Sequence, residues 1–215
     1  MRNVIAESDD NTHIHNLVPS KWFNGMNIDL SAYSDAELYA FLLQAKGLRD
    51  AAFTEIYERH SSRVYLYCRK IVGSSEVADD AFQETFALFL KSAREDREIT
   101  NLPAFMLRIA RNVCLQMKMK AQRRPEEVFR DSFFKTETEM LPMERAELIR
   151  VLNVALEVLP DEQREALILQ VYDDLSYKEI ADFMNVPISS VRNWVVRAKK
   201  KLRDELQHYW SDFRR

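Results

Sequence analysis

The residues of this chain best suited to chemistry are of types that bind, not types that react. Ser189, Ser190, Arg192, Asn193, Val196, Arg197 and Lys200 recur at helical spacing between Pro187 and Arg203. Arginine and asparagine can each make paired hydrogen bonds to a base edge, of guanine and of adenine respectively. Serines at a helix start suit a phosphate held by backbone N–H groups. An earlier stretch, Arg108 to Arg124, holds Arg108, Arg111, Lys118, Lys120, Arg123 and Arg124. Each stretch carries six basic residues and no acidic one, whereas 125–165 carries eleven acidic residues against five basic. The net charge of −3 therefore conceals two polyanion-binding blocks with a repelling spacer between them.

No set of reacting groups stands beside them. There is no Ser-His-Asp arrangement, phosphate loop or carboxylate pair on a plausible cleft, so no catalysis is expected. His13 and His15 lie in a polar tail without cysteine or paired carboxylates, and Cys68 and Cys114 lack a Cys-x-x-Cys partner. Neither a metal nor a cofactor is expected. His60 and Cys68 fall on the apolar stripe of one helix, and Phe82, Phe86 and Phe89 have core spacing.

The elements that must position the binding residues are helical. The chain has 215 residues, 47% apolar and 30% charged, with only 3 glycines and 6 prolines. That composition favours an all-α fold and excludes collagen-like and turn-dense β designs. No apolar run reaches the roughly 20 residues of a membrane span. The first thirty residues lack the pattern of a signal peptide, so no membrane insertion and a cytoplasmic location are expected. A capping box at Ser34 and Glu37 predicts a helix start. Phe53, Ile56, Tyr57, His60, Val64, Tyr67, Cys68 and Ile71 then share one face, and Gly73 suits a helix end. Ser75 opens a helix with Ala78, Ala81, Phe82, Thr85, Phe86 and Phe89 inward and Glu76, Asp79, Asp80, Gln83 and Glu84 opposite. Ser92 to Asn101 reads as a charged loop, and Leu102-Pro103 begins the helix that ends in the first basic block.

Residues 125–142 read as a linker with a short turn at Ser132-Phe133-Phe134. The helical pattern returns from Arg145 through Leu148, Leu152, Leu156 and Leu159, and a further helix after Pro160 runs through Gln163, Leu167, Ile168 and Val171. A second capping box, Ser176 with Glu179, starts a helix whose inner stripe is Ile180, Ala181 and Met184. Asn185-Val186-Pro187 makes a tight turn, and the next helix buries Val191, Val195, Ala198 and Leu202. This is a helix-turn-helix whose second helix carries base-reading side chains. The organisation is a poorly ordered tail (1–30, with Trp22 and Phe23), a helical domain (31–124), an acidic linker (125–145) and a smaller helical domain (146–210).

Two motif sets carry a family resemblance. Leu159-Pro-Asp-Glu-Gln-Arg164, Leu175-Ser-Tyr-Lys-Glu-Ile-Ala181, Val191 and Arg197-Ala198 resemble the promoter-reading region 4 of bacterial RNA polymerase sigma factors. Phe53 to Tyr57, Ala78-Asp-Asp-Ala-Phe-Gln-Glu-Thr-Phe86, Asn101-Leu-Pro-Ala-Phe105 and Arg108-Ile-Ala-Arg-Asn112 are similar to sigma region 2. With only these two regions, spanning about 52–124 and 148–206, the chain resembles the small extracytoplasmic-function (ECF) class. The resemblance implies that Asp79, Asp80, Gln83 and Glu84 dock on core RNA polymerase. It implies that Arg108, Arg111 and Asn112 serve the −10 element, with Lys118, Lys120, Arg123 and Arg124 on phosphates. The recognition helix then reads −35 duplex promoter DNA, and an anti-sigma factor joins the partners to be considered. Three departures stand out. Ser189-Ser190 replaces the common Gly-Thr, Trp194 stands where a basic residue is common, and Phe105 stands where Trp is usual. The alternatives are a helix-turn-helix regulator acting without polymerase docking, and a sigma-like decoy that sequesters polymerase.

Overall fold

The computed structural model describes residues 29–93, 99, 101–123, 151–172 and 174–213, with side chains to Ala121 in the fourth helix and to Gln207 in the last. The tail with His13, His15, Trp22 and Phe23, most of the Ser92–Asn101 loop, Arg124 and the linker with Ser132, Arg145 and Leu148 lie outside the described residues. The elements are α1 (Asp35–Phe41), α2 (Lys46–Val72), α3 (Ser75–Ser92), α4 (Leu102–Arg123), α5 (helical through 151–157), α6 (Asp161–Val171), α7 (Tyr177–Met184) and α8 (Ile188–Phe213). Among the described residues there is no strand. The described residues form an all-helical fold, and the chain divides into two compact units.

In the first unit α2 packs on α1 and α4, and α1 also meets α4. The apolar stripe of α2 is buried as its spacing predicts, with Phe53, Ile56, Tyr57, Val64, Tyr67, Cys68 and Ile71 all withdrawn from solvent. Its counterpart on α3 is the buried set Ala78, Ala81, Phe82, Thr85, Phe86 and Phe89. The two stripes join through rings: Tyr57 lies 5.0 Å from Phe86, and Tyr65 meets Phe82 edge-on at 5.6 Å. Such pairs add about 0.5–1.5 kcal/mol each beyond the area they bury. Gly73 takes φ 84°, the left-handed conformation that closes α2. Cys68 and Cys114 are both buried and form no disulfide. A hydrogen bond with the Cys114 side chain, together with burial, holds the Cys68 thiol well above its usual range.

Local chemistry starts the helices. The Ser34 N–H donates to Glu37 Oε2 at 2.8 Å, and the Glu37 N–H donates back to Ser34 Oγ at 3.4 Å. The Ser34 hydroxyl and backbone N–H hold the Glu37 carboxyl below its ordinary value. At α4 the cap is Asn101, whose Oδ1 accepts from the Ala104 N–H at 3.0 Å.

His60 keeps its expected place on the stripe, with its side chain only 11% exposed, but its Nε2 lies 2.9 Å from Asp35 Oδ2, so a polar contact with α1 interrupts the apolar run there. Neighbouring Arg59 donates to the Tyr33 carbonyl at 2.9 Å, the Ser31 carbonyl at 2.9 Å, Glu55 Oε1 at 2.8 Å and Asp35 Oδ1 at 3.2 Å. That planar fork ties the segment before α1 to α2. Burial lowers the His60 pKa; Asp35 opposes the shift without reversing it, and Arg63 and Arg59 add to it. A folded-state pKa below the unfolded one means that the unfolded chain takes up the proton first on acidification. The native state therefore loses stability as the pH falls below about 6.5. The thermal midpoint should fall between about pH 7.5 and pH 5.5, and His60→Gln should flatten that dependence in a pH series of melting curves.

In the second unit α8 packs on α6 and α7, and α6 also meets α7. The core takes Leu156, Leu159, Ala166, Leu167, Ile168, Leu169, Ile180, Met184, Val191, Val195 and Ala198. Val171, at the end of α6, is 60% exposed, and the chain continues through Asp174 at φ 51°. One expected inner position differs: Leu202 on α8 is half-buried.

Candidate nucleic-acid interface

The capping box at Ser176 repeats the geometry of the first. Its N–H donates to Glu179 Oε2 at 2.8 Å and its Oγ accepts from the Glu179 N–H at 3.3 Å. The Ser176 hydroxyl and N–H hold the Glu179 carboxyl below its ordinary value. Ile180, Ala181, Phe183 and Met184 then point inward. Asn185 caps α7 in the left-handed region at φ 56°, ψ 53°, where asparagine is among the few non-glycine residues tolerated. Pro187 ends the turn and α8 begins at Ile188. The two helices and the tight turn expected from the spacing are therefore present.

On α8 the buried positions Val191, Val195 and Ala198 fix which side faces out. Ser189, Arg192, Asn193, Val196, Arg197 and Lys200 are all exposed, so the structure brings them together on one outward face. Ser190 is half-buried, and its N–H is already donated to the Pro187 carbonyl at 2.9 Å. The expected phosphate contact from that backbone group is thus spent within the turn. Trp194 is half-buried, so packing occupies part of its side chain.

Two cations hold the base of this face. Arg164 donates from Nε to the Leu156 carbonyl at 2.9 Å and from Nη2 to those of Glu157 and Leu159 at 2.9 and 3.0 Å. Lys201 Nζ donates to the Val158 carbonyl at 2.6 Å. The last carbonyls of a helix lack intrahelical partners and carry its negative dipole end. Both side chains therefore anchor α6 and α8 to the end of α5. Lys201 belongs to the basic block by sequence, but structurally it is a cap.

In the first unit, α4 buries Met106, Leu107, Ala110, Val113 and Cys114. Arg108, Asn112 and Lys120 are exposed, and Arg111 and Lys118 are half-buried. Arg123 lies within α4, its side chain outside the described set. The exposed row also includes Gln116, one turn beyond Asn112, and Met119, which is 53% exposed. Neither was singled out from sequence, although the four-residue step from Asn112 to Gln116 was available. Phe105 is half-buried, 6.5 Å from the Phe89 ring.

On α3 the acidic set separates into two kinds. Asp80, Gln83 and Glu84 are exposed, beside Leu88. Asp79 is half-buried, with Oδ1 accepting from the Tyr65 hydroxyl at 2.9 Å. Its carboxylate is therefore used to join α3 to α2. Among the described residues no group of three or more His, Cys, Asp or Glu side chains could hold a metal, and no helix is long and apolar enough to cross a membrane.

Known proteins share this arrangement. The chain matches the Sigma-70 region 2 family over residues 56–124 and the Sigma-70 region 4 family over 149–202. It is 31% identical over 131 residues to the ECF RNA polymerase sigma factor EcfG of Rhodopseudomonas palustris, covering 60% of this chain and 71% of that protein. It is 28% identical over 165 residues to the ECF RNA polymerase sigma factor SigE of Mycolicibacterium smegmatis, covering 75% of this chain and 64% of that one. A solved structure of the sigma factor RpoE of Bartonella quintana, in complex with the anti-sigma factor NepR, has a similar fold. Its TM-score is 0.61 at 22% identity, covering 72% of this chain and 96% of that one.

Proposed function

Because the chain belongs to the ECF class of RNA polymerase sigma factors, we propose how its two units divide the work of promoter-specific initiation. The first unit docks on core RNA polymerase through Asp80, Gln83 and Glu84, with Asp79 holding their helix in place. Its α4 face, with Arg108, Arg111 and Asn112, engages −10 DNA, while Lys118, Lys120, Arg123 and Arg124 engage phosphates. The second unit reads −35 duplex through Ser189, Arg192, Asn193, Val196, Arg197 and Lys200, with Ser190 shaping the turn. The observation that carries this reading is the α8 face: exposed Arg, Asn, Ser and Lys side chains over a fully buried Val191–Val195–Ala198 seam. That arrangement suits insertion of one helix side into a major groove.

Phosphate contacts and caps are separable by salt. Each phosphate neutralised by a lysine adds about 0.9 to the slope of log affinity against log salt. Lys200→Met should lower the slope by about that amount. Lys201→Met should leave the slope alone and lower the thermal midpoint, since Lys201 holds the Val158 carbonyl. Titrations of holoenzyme binding to promoter DNA at four or more salt concentrations check both.

The test of the whole reading is transcription. The purified protein, core RNA polymerase and sheared genomic DNA are combined, and the 5′ ends of the transcripts are sequenced. Discrete starts preceded by a shared two-part motif are expected. Core binding without starts would point to a decoy, and duplex binding without core binding to a stand-alone regulator.

A further inference from the structure

Two exposed aliphatic side chains on the recognition helix have no place in a purely polar reading of it. Ile188 is 45% exposed and Val196 is 59% exposed. Between them, at the same four-residue step, lies exposed Arg192, and one step beyond Val196 lies exposed Lys200. The ridge therefore alternates aliphatic, cationic, aliphatic, cationic. Each step advances about 6 Å along the helix axis, close to two base-pair rises of about 3.4 Å.

A protein partner with an apolar surface fits this ridge poorly. Covering both aliphatics would also cover Arg192, whose guanidinium would lose its water without an assured partner. The major groove suits every position, because its edges offer guanine acceptors to an arginine and thymine C5-methyl groups to aliphatic side chains. Flanking charges at Arg197, Lys199, Lys200 and Arg203 match the phosphates on either side.

We infer that Ile188 and Val196 read thymine methyl groups in the −35 duplex, on either side of the base pair contacted by Arg192. The inference rests on the assignment of α8 to −35 reading and adds the base that these two positions select. Taking one methyl as about one buried methylene, each contact contributes about fourfold in affinity.

The test isolates the methyl group, since deoxyuridine differs from thymidine only in lacking it. Holoenzyme made with the full-length protein selects from two randomised duplex pools, one containing thymine and one containing uracil. The expected result is one motif whose thymine positions flank the Arg192-dependent base pair and lose enrichment in the uracil pool. On the selected duplex, a single thymine-to-uracil change at either position should weaken binding about fourfold. Val196→Ala should abolish the thymine–uracil difference at one position and Ile188→Ala at the other. Both side chains are largely outside the core, so these variants keep the fold. A motif that forms equally well from either pool, or variants that weaken thymine and uracil duplexes alike, would overturn the inference and leave −35 reading intact. No enriched motif in either pool would overturn the −35 assignment and this inference with it.

Discussion

Arg192→Ala should relax the choice of one base pair in the −35 duplex, at a cost of about 1–3 kcal/mol, or roughly 5- to 150-fold in affinity. The residue is exposed on the helix that follows a left-handed Asn185 corner, and buried Val191 and Val195 beneath it set its direction. Truncation therefore removes a DNA contact without opening the core. Binding of the holoenzyme to a duplex series with every single-base-pair change checks the prediction. The variant should lose discrimination at one position and keep it elsewhere, while Asn193→Ala should do the same at a neighbouring position. An unchanged preference profile would assign base reading to other residues.

The second large effect belongs to the acidic face of α3. Changing Asp80 and Glu84 together to lysine places two positive charges where a basic partner surface is expected. Like-charge juxtaposition at an interface costs several kcal/mol, so core binding should weaken by roughly 2–5 kcal/mol. Both residues are exposed and one helical turn apart, so far-UV circular dichroism and the melting curve should change little. Asp79→Ala makes the opposite comparison. It removes the acceptor 2.9 Å from the Tyr65 hydroxyl, so it should lower stability by about 1.5–3 kcal/mol, the scale of a charged hydrogen bond, and leave core affinity near that of the parent protein. Equal core binding by the Asp80/Glu84 variant would remove this surface from the docking assignment.

The contrast between Asp79 and Asp80 shows what spacing can and cannot reveal. Helical periodicity puts both on the outer half of α3, but the Tyr65 hydroxyl that engages Asp79 comes from another helix. Features written within a few residues were legible: both capping boxes, the Asn185 corner, the Gly73 helix end and the aromatic stripes of α2 and α3. Each needs only a local hydrogen bond or a repeat of three to four residues. Arg59, Arg164 and Lys201 were not legible. Their partners are mainly backbone carbonyls, which every residue possesses and no sequence pattern marks. The polar partner of His60 was not legible for a related reason, since Asp35 lies 25 positions earlier, on α1. In the candidate interface, the outward placement of Arg192, Asn193 and Arg197 followed from the buried valines. Ser190 did not, because its N–H is consumed by a turn that depends on the exact path through Pro187.

The two cysteines, the only ones in the chain, both sit in the core of the first unit. Thiol reagents attack thiolates that solvent can reach, and here the unperturbed fold presents none. Modification must therefore wait for the helices to part, and its rate under strong reagent becomes a measure of opening in the first unit alone. The second unit contributes no sulfur to that signal. A mass-resolved labelling time course should then distinguish destabilising substitutions in the core of α2, α3 and α4, which accelerate labelling, from those on α8, which leave it unchanged. The chain thus holds a built-in kinetic reporter of how one half breathes, independent of DNA or polymerase.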